Sequence, residues 1–442
     1  MLIRFTVENY LSFNQRVDFN MLASDDNNHR HHVVENKRKL LRSSLLYGAN
    51  GSGKSNLIKA MGFARDFIVD GVGKNKNIDL KFFKLQEGCS QKPARFEFEF
   101  YCAGRAYAYG FILEKHRVFE EWLFDISEAE EISVFERREQ LIGLNYKHPL
   151  FANISAEKKQ QLKFEMDAIR ENSLFITHCD ERNCKRFDII YRWFKDTLII
   201  VFPQLKKPFL MTFAQFDEKF FNEILDFFDF GFKQVNFESI NLENNKEIPE
   251  DVKIEIESNF PYGDGKACFI SFEKFNYVVM QKEQQQNLQA LQIVGIRKND
   301  TNQDVLFELF EESDGTHRII DLIPIFMNLY QKNTVVVIDE LERSLHALLS
   351  KKLFELFLNN KKFAQNNSQL IATTHEVTLL DINQLFRKDE IWFIEKDEMQ
   401  QSIIYSLAGA DVEKLNLVNG YLNGRFGAIP FIDEAETLGW KK

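Results

Sequence analysis

No stretch of the chain strings together the roughly 18 apolar residues that a membrane-spanning helix needs. The first residues, MLIRFTVENYLSF, alternate like a strand and lack the continuous apolar core of an export signal. No membrane partner is expected. Cysteine is sparse, and Cys89, Cys102, Cys179, Cys184 and Cys268 are scattered and odd in number. Reduced thiols in a cytoplasmic protein fit that pattern better than a disulfide framework. Cys179 and Cys184, beside His178, lack the second ligand pair that a zinc site of this kind would need. The HRHH cluster (His29, His31, His32) lies in a polar loop and reads as solvated. Basic residues do not dominate: 56 Lys and Arg face 66 Asp and Glu, a formal charge of -10. That balance argues against a uniformly basic, nucleic-acid-coating surface. Repeats, low-complexity segments and sustained heptads are missing, which excludes solenoids and a long coiled-coil arm.

What remains is an ordinary globular composition, 44% hydrophobic and 28% charged, with 44 phenylalanines that suggest aromatic-rich cores. A chain of 442 residues allows two or three domains, or one large domain with an insertion. LIRFTVENY and SFNQRVDFNML read as strands. LLRSSLLYG reads as a strand, ANGSGKS as a loop, and NLIKAMGFARDFIVDG as a helix with Leu57, Ile58, Met61 and Ala64 on one face. ARFEFEFYCAGRAYAYGFILE predicts a hairpin around Ala103 and Gly104, alternating strictly on both arms. From Ser155 to Asp304 charged helical patterns such as SAEKKQQLKFEMDAIREN and FAQFDEKFFNEILDFF mix with short strands. From Val305 a helix, TVVVIDE, another helix, QLIATTHE and EIWFIEKD alternate, and fully apolar strands between helices suggest a mainly parallel, doubly covered sheet. The expected divisions are 1–154, 155–304 (an inserted or lateral subdomain) and 305–442.

GANGSGKS (Gly48–Ser55) fits G-x-x-x-x-G-K-[ST] between an apolar strand and a helix. Its glycines let backbone N–H groups wrap a phosphate, and the helix N-terminus adds a positive end. Asn50, Gly51, Ser52, Gly53, Lys54, Ser55 and Asn56 are thus candidate nucleotide-binding residues. Lys54 would neutralise the β- and γ-phosphates and Ser55 would hold Mg²⁺. TVVVIDE ends in Asp339, placed to reach the same Mg²⁺, and in Glu340, placed to orient and deprotonate a water. LIATTHE ends in His375, which at a strand's carboxyl end can sense a γ-phosphate. GTP is disfavoured, since no N-K-x-D guanine-reading sequence occurs.

These three motifs, in this order, resemble an ABC-type ATPase, and their wide spacing resembles the SMC/RecF/OLD branch. MLIRFTVENYLSF, LLYGANGSGKSNL, IDELERSLH, ATTHE and YLNGRFGAIPFI further resemble the AAA15 family of prokaryotic ABC-like ATPases. The resemblance implies an α/β fold: an ABC-type P-loop core with a mainly parallel sheet, an antiparallel β subdomain and a helical lateral insertion. It implies ATP and Mg²⁺ as cofactors, and Lys54, Glu340 and the switch histidine His375 as catalytic residues. It also implies a signature motif upstream of TVVVIDE, and ESDGTHR lies there. Ser313 and the Gly315 N–H would contact a γ-phosphate held by a second subunit, giving a homodimer or higher homo-oligomer through ATP. Asp314 departs from the LSGGQ form of transporters. LERSLHALL would be the D-loop region, with Glu342 where an Asp often stands and Ser344 and His346 towards the dimer interface. Gln86, in FFKLQEG, is the candidate for the glutamine loop and a third Mg²⁺ ligand.

Family members often resemble the ATPase component of anti-phage or abortive-infection operons. Only 67 residues follow His375, too few for an additional catalytic domain of ordinary size, so a separate effector protein, a nuclease or toxin, is expected. Two other functions stay open: a RecF-like or SMC-like ATPase acting on DNA, and a nucleotide-stabilised scaffold with little turnover. DNA contact through ENKRKLLR, LSKKLF or NNKKF is conceivable, although interleaved acids favour solvated helix faces.

Overall fold

The computed structural model describes residues 1–35, 37–74, 76–203, 209–213, 215–228, 234–240, 242, 245, 248–260, 266–272, 275–281, 288–409 and 417–422. Cα packing divides the chain into two compact units. The first comprises Met1–Val201, Thr334–Glu340 and Asn367–Lys442, and the second Phe202–Asn333 and Leu341–Asn366. The expected breaks at 155 and 305 therefore do not coincide with the compact units. The reason is a strand pairing: Leu198–Val201 runs parallel to Val335–Ile338, and this ladder ties residues 155–201 to the first unit.

In the first unit, a sheet has the order Leu198–Val201, Val335–Ile338, Gln369–Thr373, Ser43–Tyr47, Ile391–Lys396, Ser402–Ser406. All its pairings are parallel except the last, an antiparallel hairpin formed by EIWFIEKD and the strand after it. Val335, Val336, Val337 and Ile338 are all fully buried. A strand covered on both faces must be apolar at every position, which is why this run shows no alternation. Each such side chain contributes about 1.5–3 kcal/mol on burial. Helix Lys54–Val69 buries Leu57, Ile58, Met61 and Ala64, the expected face, together with Ala60, Phe67 and Ile68.

A second sheet of this unit is antiparallel: Leu141–Leu144, Ile132–Arg138, Val118–Asp125, Arg105–Leu113, Ala94–Cys102, Leu2–Glu8, Val17–Asn20. Ala103 and Gly104 form the expected turn, both with positive φ, as a two-residue hairpin requires. Alternation holds on Ala94–Cys102 but fails on Arg105–Leu113, which is buried continuously from Ala106 to Phe111. Gly110 is one cause. A Cβ there would collide with the Trp122 ring, so its absence lets Trp122 lie flat over the strand under the Arg95 guanidinium, 4.3 Å from the ring centre.

The histidine cluster needs correction. His31 is exposed, but His32 is fully buried, its Nδ1 3.0 Å from Glu390 Oε2. Glu390 also accepts from Ser43 Oγ at 2.5 Å and from the Arg387 N–H at 2.7 Å. A buried charge survives only with partners of this kind. Near the cysteines, His178 Nε2 pairs with Glu165 at 3.0 Å, while the Cys179 and Cys184 thiols hydrogen-bond to each other.

The second unit contains an antiparallel sheet, Phe209–Phe213, Ala267–Phe272, Phe275–Gln281, Leu288–Lys298, Gln234–Ile240, with Asp304–Glu308 added beside Leu288–Lys298. Residues 155–304 thus mix helices, among them Ala156–Ala168, Glu218–Phe228 and Glu250–Asn259, with the strands of this sheet, and the helix expected from Val305 is preceded by a strand. Helices Glu218–Phe228, Glu250–Asn259, Asp314–Gln331 and Ala347–Asn359 complete it. Phenylalanines do form its core: Phe220 stacks on Tyr330 at 4.6 Å, and buried Phe363 meets Phe220, Phe326, Tyr330 and Phe357. Of the C-terminal motif YLNGRFGAIPFI, residues 423–432 lie outside the described residues.

Candidate functional site

Strand Ser43–Tyr47 delivers Gly48 at its carboxyl end, and the loop closes at Lys54, where the helix begins. Gly51 and Gly53 have φ of 80° and 120°, which only glycine adopts without strain. Gly48 has no room for a side chain, because a Cβ there would strike Ile394 O and Ser52 Oγ. The helix starts without any side-chain cap. Its first-turn N–H groups are therefore left for an anion, in the geometry that suits a phosphate.

Lys54 is 6% exposed, and its ammonium lies inside the loop, donating to Gly48 O at 2.6 Å and Ala49 O at 3.2 Å. Ser55 Oγ donates to Asp339 Oδ1 at 3.1 Å. A hydroxyl and a buried carboxylate converging at one point are the oxygen ligands a hard divalent ion selects. Asp339, 2% exposed, follows its apolar strand, and its N–H bonds Val201 O at 2.9 Å.

Thr373 is the part that sequence reading missed. Its hydroxyl donates to Asp339 Oδ1 at 2.6 Å and accepts from the Glu340 N–H at 2.8 Å. The signal was present in the strand register. Ile338 lies opposite Ala372 in the parallel ladder, so the next residues, Asp339 and Thr373, leave the sheet side by side. Glu340 itself takes φ of 51°, a left-handed backbone conformation uncommon outside glycine. Two residues past Thr373, His375 Nδ1 accepts from Lys54 Nζ at 3.5 Å. Burial, and then the Lys54 ammonium, lower its pKa from the ordinary imidazole value. His375 is held neutral beside the loop.

A serine brace supports the loop from outside. Ser402 Oγ donates to Ser52 O at 2.5 Å and lies 2.8 Å from Ser12 Oγ, which accepts from Asn56 Nδ2 at 2.9 Å. A Cβ on Gly53 would meet both serine hydroxyls. Gly53→Ala combines that collision with a disallowed φ, a strain of about 1–3 kcal/mol. It is expected to weaken triphosphate binding at this loop about tenfold or more, the worth of about 1.4 kcal/mol, read by titration of a fluorescent triphosphate analogue, with circular dichroism unchanged.

Gln86 has a different partner. Its exposed side chain accepts from Asn14 Nδ2 at 2.6 Å, and among the described residues no hydrogen bond joins it to Ser55 or Asp339. Ser313 and Gly315 belong to the second unit. Ser313 caps helix Asp314–Gln331, accepting from the Thr316 N–H at 3.3 Å. A Cβ on Gly315 would come within 2.9 Å of Ser344 O, so the turn Leu341–Leu345 lies directly against the helix start. Ser344 has φ of 60°. Asp314 is exposed in the first helical turn, where an acid complements the helix dipole. His346 is the cap of helix Ala347–Asn359, Nδ1 accepting from the Leu348 N–H at 3.2 Å.

Comparison with known families gives a match. The model of the family described as "AAA domain, putative AbiEii toxin, Type IV TA system" covers residues 43–381. That is well over half of the chain, which therefore belongs to this family of P-loop ATPase domains linked to abortive infection. No curated protein matches the chain.

Proposed function

We propose that this member of the family is a Mg²⁺-dependent ATPase of ABC type, resembling the AAA15 group, that closes as a head-to-tail homodimer around ATP and thereby controls a separate effector in an anti-phage system. The observation that carries the reading is the uncapped helix behind Gly53, with Lys54 and His375 on one side and Ser55 and Asp339 in contact on the other. This arrangement supports binding of a triphosphate at Asn50, Gly51, Ser52, Gly53, Lys54, Ser55 and Asn56.

Ser55 and Asp339 are the residues that would hold Mg²⁺, which when bound neutralises phosphate charge. Thr373 keeps the Asp339 carboxylate turned towards Ser55 and fixes the Glu340 backbone. Glu340 would take the proton of the attacking water, and neutral His375 would donate its remaining ring N–H towards the γ-phosphate. Ser313 and the Gly315 N–H of a second copy would complete the site. The effector and the defence setting rest on the family's description and on the resemblance of the motifs.

The test is nucleotide binding and turnover by the purified full chain. Wild type is expected to bind ATP with Mg²⁺, and Lys54→Ala to lose about 10- to 150-fold in affinity, the worth of a charge-assisted hydrogen bond. Equal affinity of the two proteins would overturn the reading. Turnover stimulated by DNA and lost steeply with salt would move it to a DNA-associated ATPase.

A further inference from the structure

A second group of side chains, apart from the nucleotide motifs, has the makings of a site. His29, His31 and His32 each offer a ring nitrogen, and these three atoms lie within 4.8 Å of one another. Their rings are mutually packed, with His31 and His32 centred 4.4 Å apart and His29 and His32 stacked at 5.1 Å. Such crowding of three imidazoles is unfavourable once they are charged, and it needs a reason.

The outer nitrogens supply one. His32 Nδ1 is held by the Glu390 carboxylate, at 3.2 Å and 3.0 Å from its two oxygens. Glu390 is fixed in turn by Ser43 Oγ and the Arg387 N–H. Carboxylate or carbonyl on one ring nitrogen, with the other facing inward, is how metal-ligating histidines are oriented. The other ring nitrogen of His32, Nε2, is buried and has no hydrogen-bond partner among the described residues. A buried polar atom left in that way costs free energy unless something satisfies it. His29 also adopts φ of 44° and ψ of 50°, a left-handed conformation that brings its ring back over the following turn.

We propose that His29, His31 and His32 form a three-imidazole site for a divalent transition-metal ion, Zn²⁺ being the fitting one, with solvent at the fourth position. Imidazole nitrogens suit Zn²⁺ rather than Mg²⁺ or Ca²⁺. Zinc–nitrogen bonds of about 2.0–2.1 Å set the ligand atoms about 3.4 Å apart, somewhat closer than the 4.8 Å within which they now lie. The Arg30 guanidinium, which would repel the ion, is engaged by Asn27 Oδ1 at 2.6 Å.

The ion's place in the fold indicates a structural role. His32 O accepts from the Arg42 N–H at 2.8 Å, and Arg42 immediately precedes strand Ser43–Tyr47. That strand spans roughly 17 Å, so the metal lies at the end opposite the phosphate loop. It clips the polar loop 24–32 to the base of the strand that carries Gly48. Sequence reading saw three histidines in a polar loop; the tertiary partner Glu390, some 358 residues away, changes their chemistry.

The experiment is a Co²⁺ titration of the full chain, free of any histidine tag and of nucleotide, followed by Zn²⁺ displacement. Wild type is expected to bind one equivalent, with the visible absorption of four-coordinate Co²⁺, displaced by Zn²⁺, and to gain thermal stability with Zn²⁺. His31→Ala, a change at an exposed position, is expected to leave circular dichroism unchanged and to weaken Co²⁺ binding at least about tenfold. The proposal fails if wild type shows no saturable binding, or if His31→Ala and His29→Ala titrate as wild type does. It fails equally if a thiolate-to-cobalt charge-transfer band appears, because the ion would then sit on Cys179 and Cys184.

Discussion

Replacing Glu340 by Gln is expected to slow ATP turnover by about 10²- to 10⁴-fold, the usual contribution of a positioned general base, while ATP still binds. The side chain keeps its shape and loses only its basicity. Its neighbour Asp339 is committed to Ser55 and Thr373, whereas the Glu340 carboxylate makes no hydrogen bond or ion pair among the described residues. On the proposed reading, Glu340 is the acid that faces the attacking water. If the ATP-bound state is the closed dimer, Glu340→Gln should also accumulate it. Mass measurement in solution with ATP and Mg²⁺ should then show a dimer or larger assembly that Lys54→Ala does not form. Turnover equal to wild type would remove Glu340 from the mechanism. Identical masses for both variants, with and without ATP, would remove the dimer.

Ser313→Arg is expected to abolish hydrolysis, by about 10²- to 10³-fold for a lost transition-state donor, and to leave ATP binding to its own Lys54 intact. The local alternative is that Ser313 only caps its helix, through the Thr316 N–H and hydroxyl. A lost cap costs about 0.5–2 kcal/mol of stability, which leaves turnover per folded molecule unchanged. Ser313→Asp separates the two readings. Asp caps as well as Ser, so stability should hold, but its charge opposes a phosphate, so turnover should still collapse. Mixing Ser313→Arg with Lys54→Ala carries the argument further. A twofold dimer of unlike copies has one site with both residues intact, and roughly a quarter of wild-type turnover should return. No recovery on mixing would mean that the two residues do not serve one shared site.

The phosphate loop was legible because its chemistry is local. Gly51 and Gly53 need positive φ, Lys54 and Ser55 must follow at once, and all of this lies within eight consecutive residues. The parallel sheet was legible for a related reason, since Val335–Ile338 is apolar throughout and only burial on both faces explains that. Ser313 as a helix cap is likewise written in its neighbours.

What the sequence could not show is whatever depends on which distant segments meet. Thr373 reaches Asp339 only because two parallel strands are in register. The Ser12–Ser402 brace joins residues 390 apart, and nothing in either neighbourhood marks it. The edge strand Leu198–Val201 moved a unit boundary by pairing with a strand more than a hundred residues later. Gln86 was a candidate through the family resemblance, and in the fold its side chain accepts from Asn14. The histidines read as solvated until Glu390 buried one of them. Backbone conformation and the ligands of one loop are short-range properties and are set by the sequence of that loop. Partner identity is set by strand register and packing, and those are decided only when the whole chain is folded.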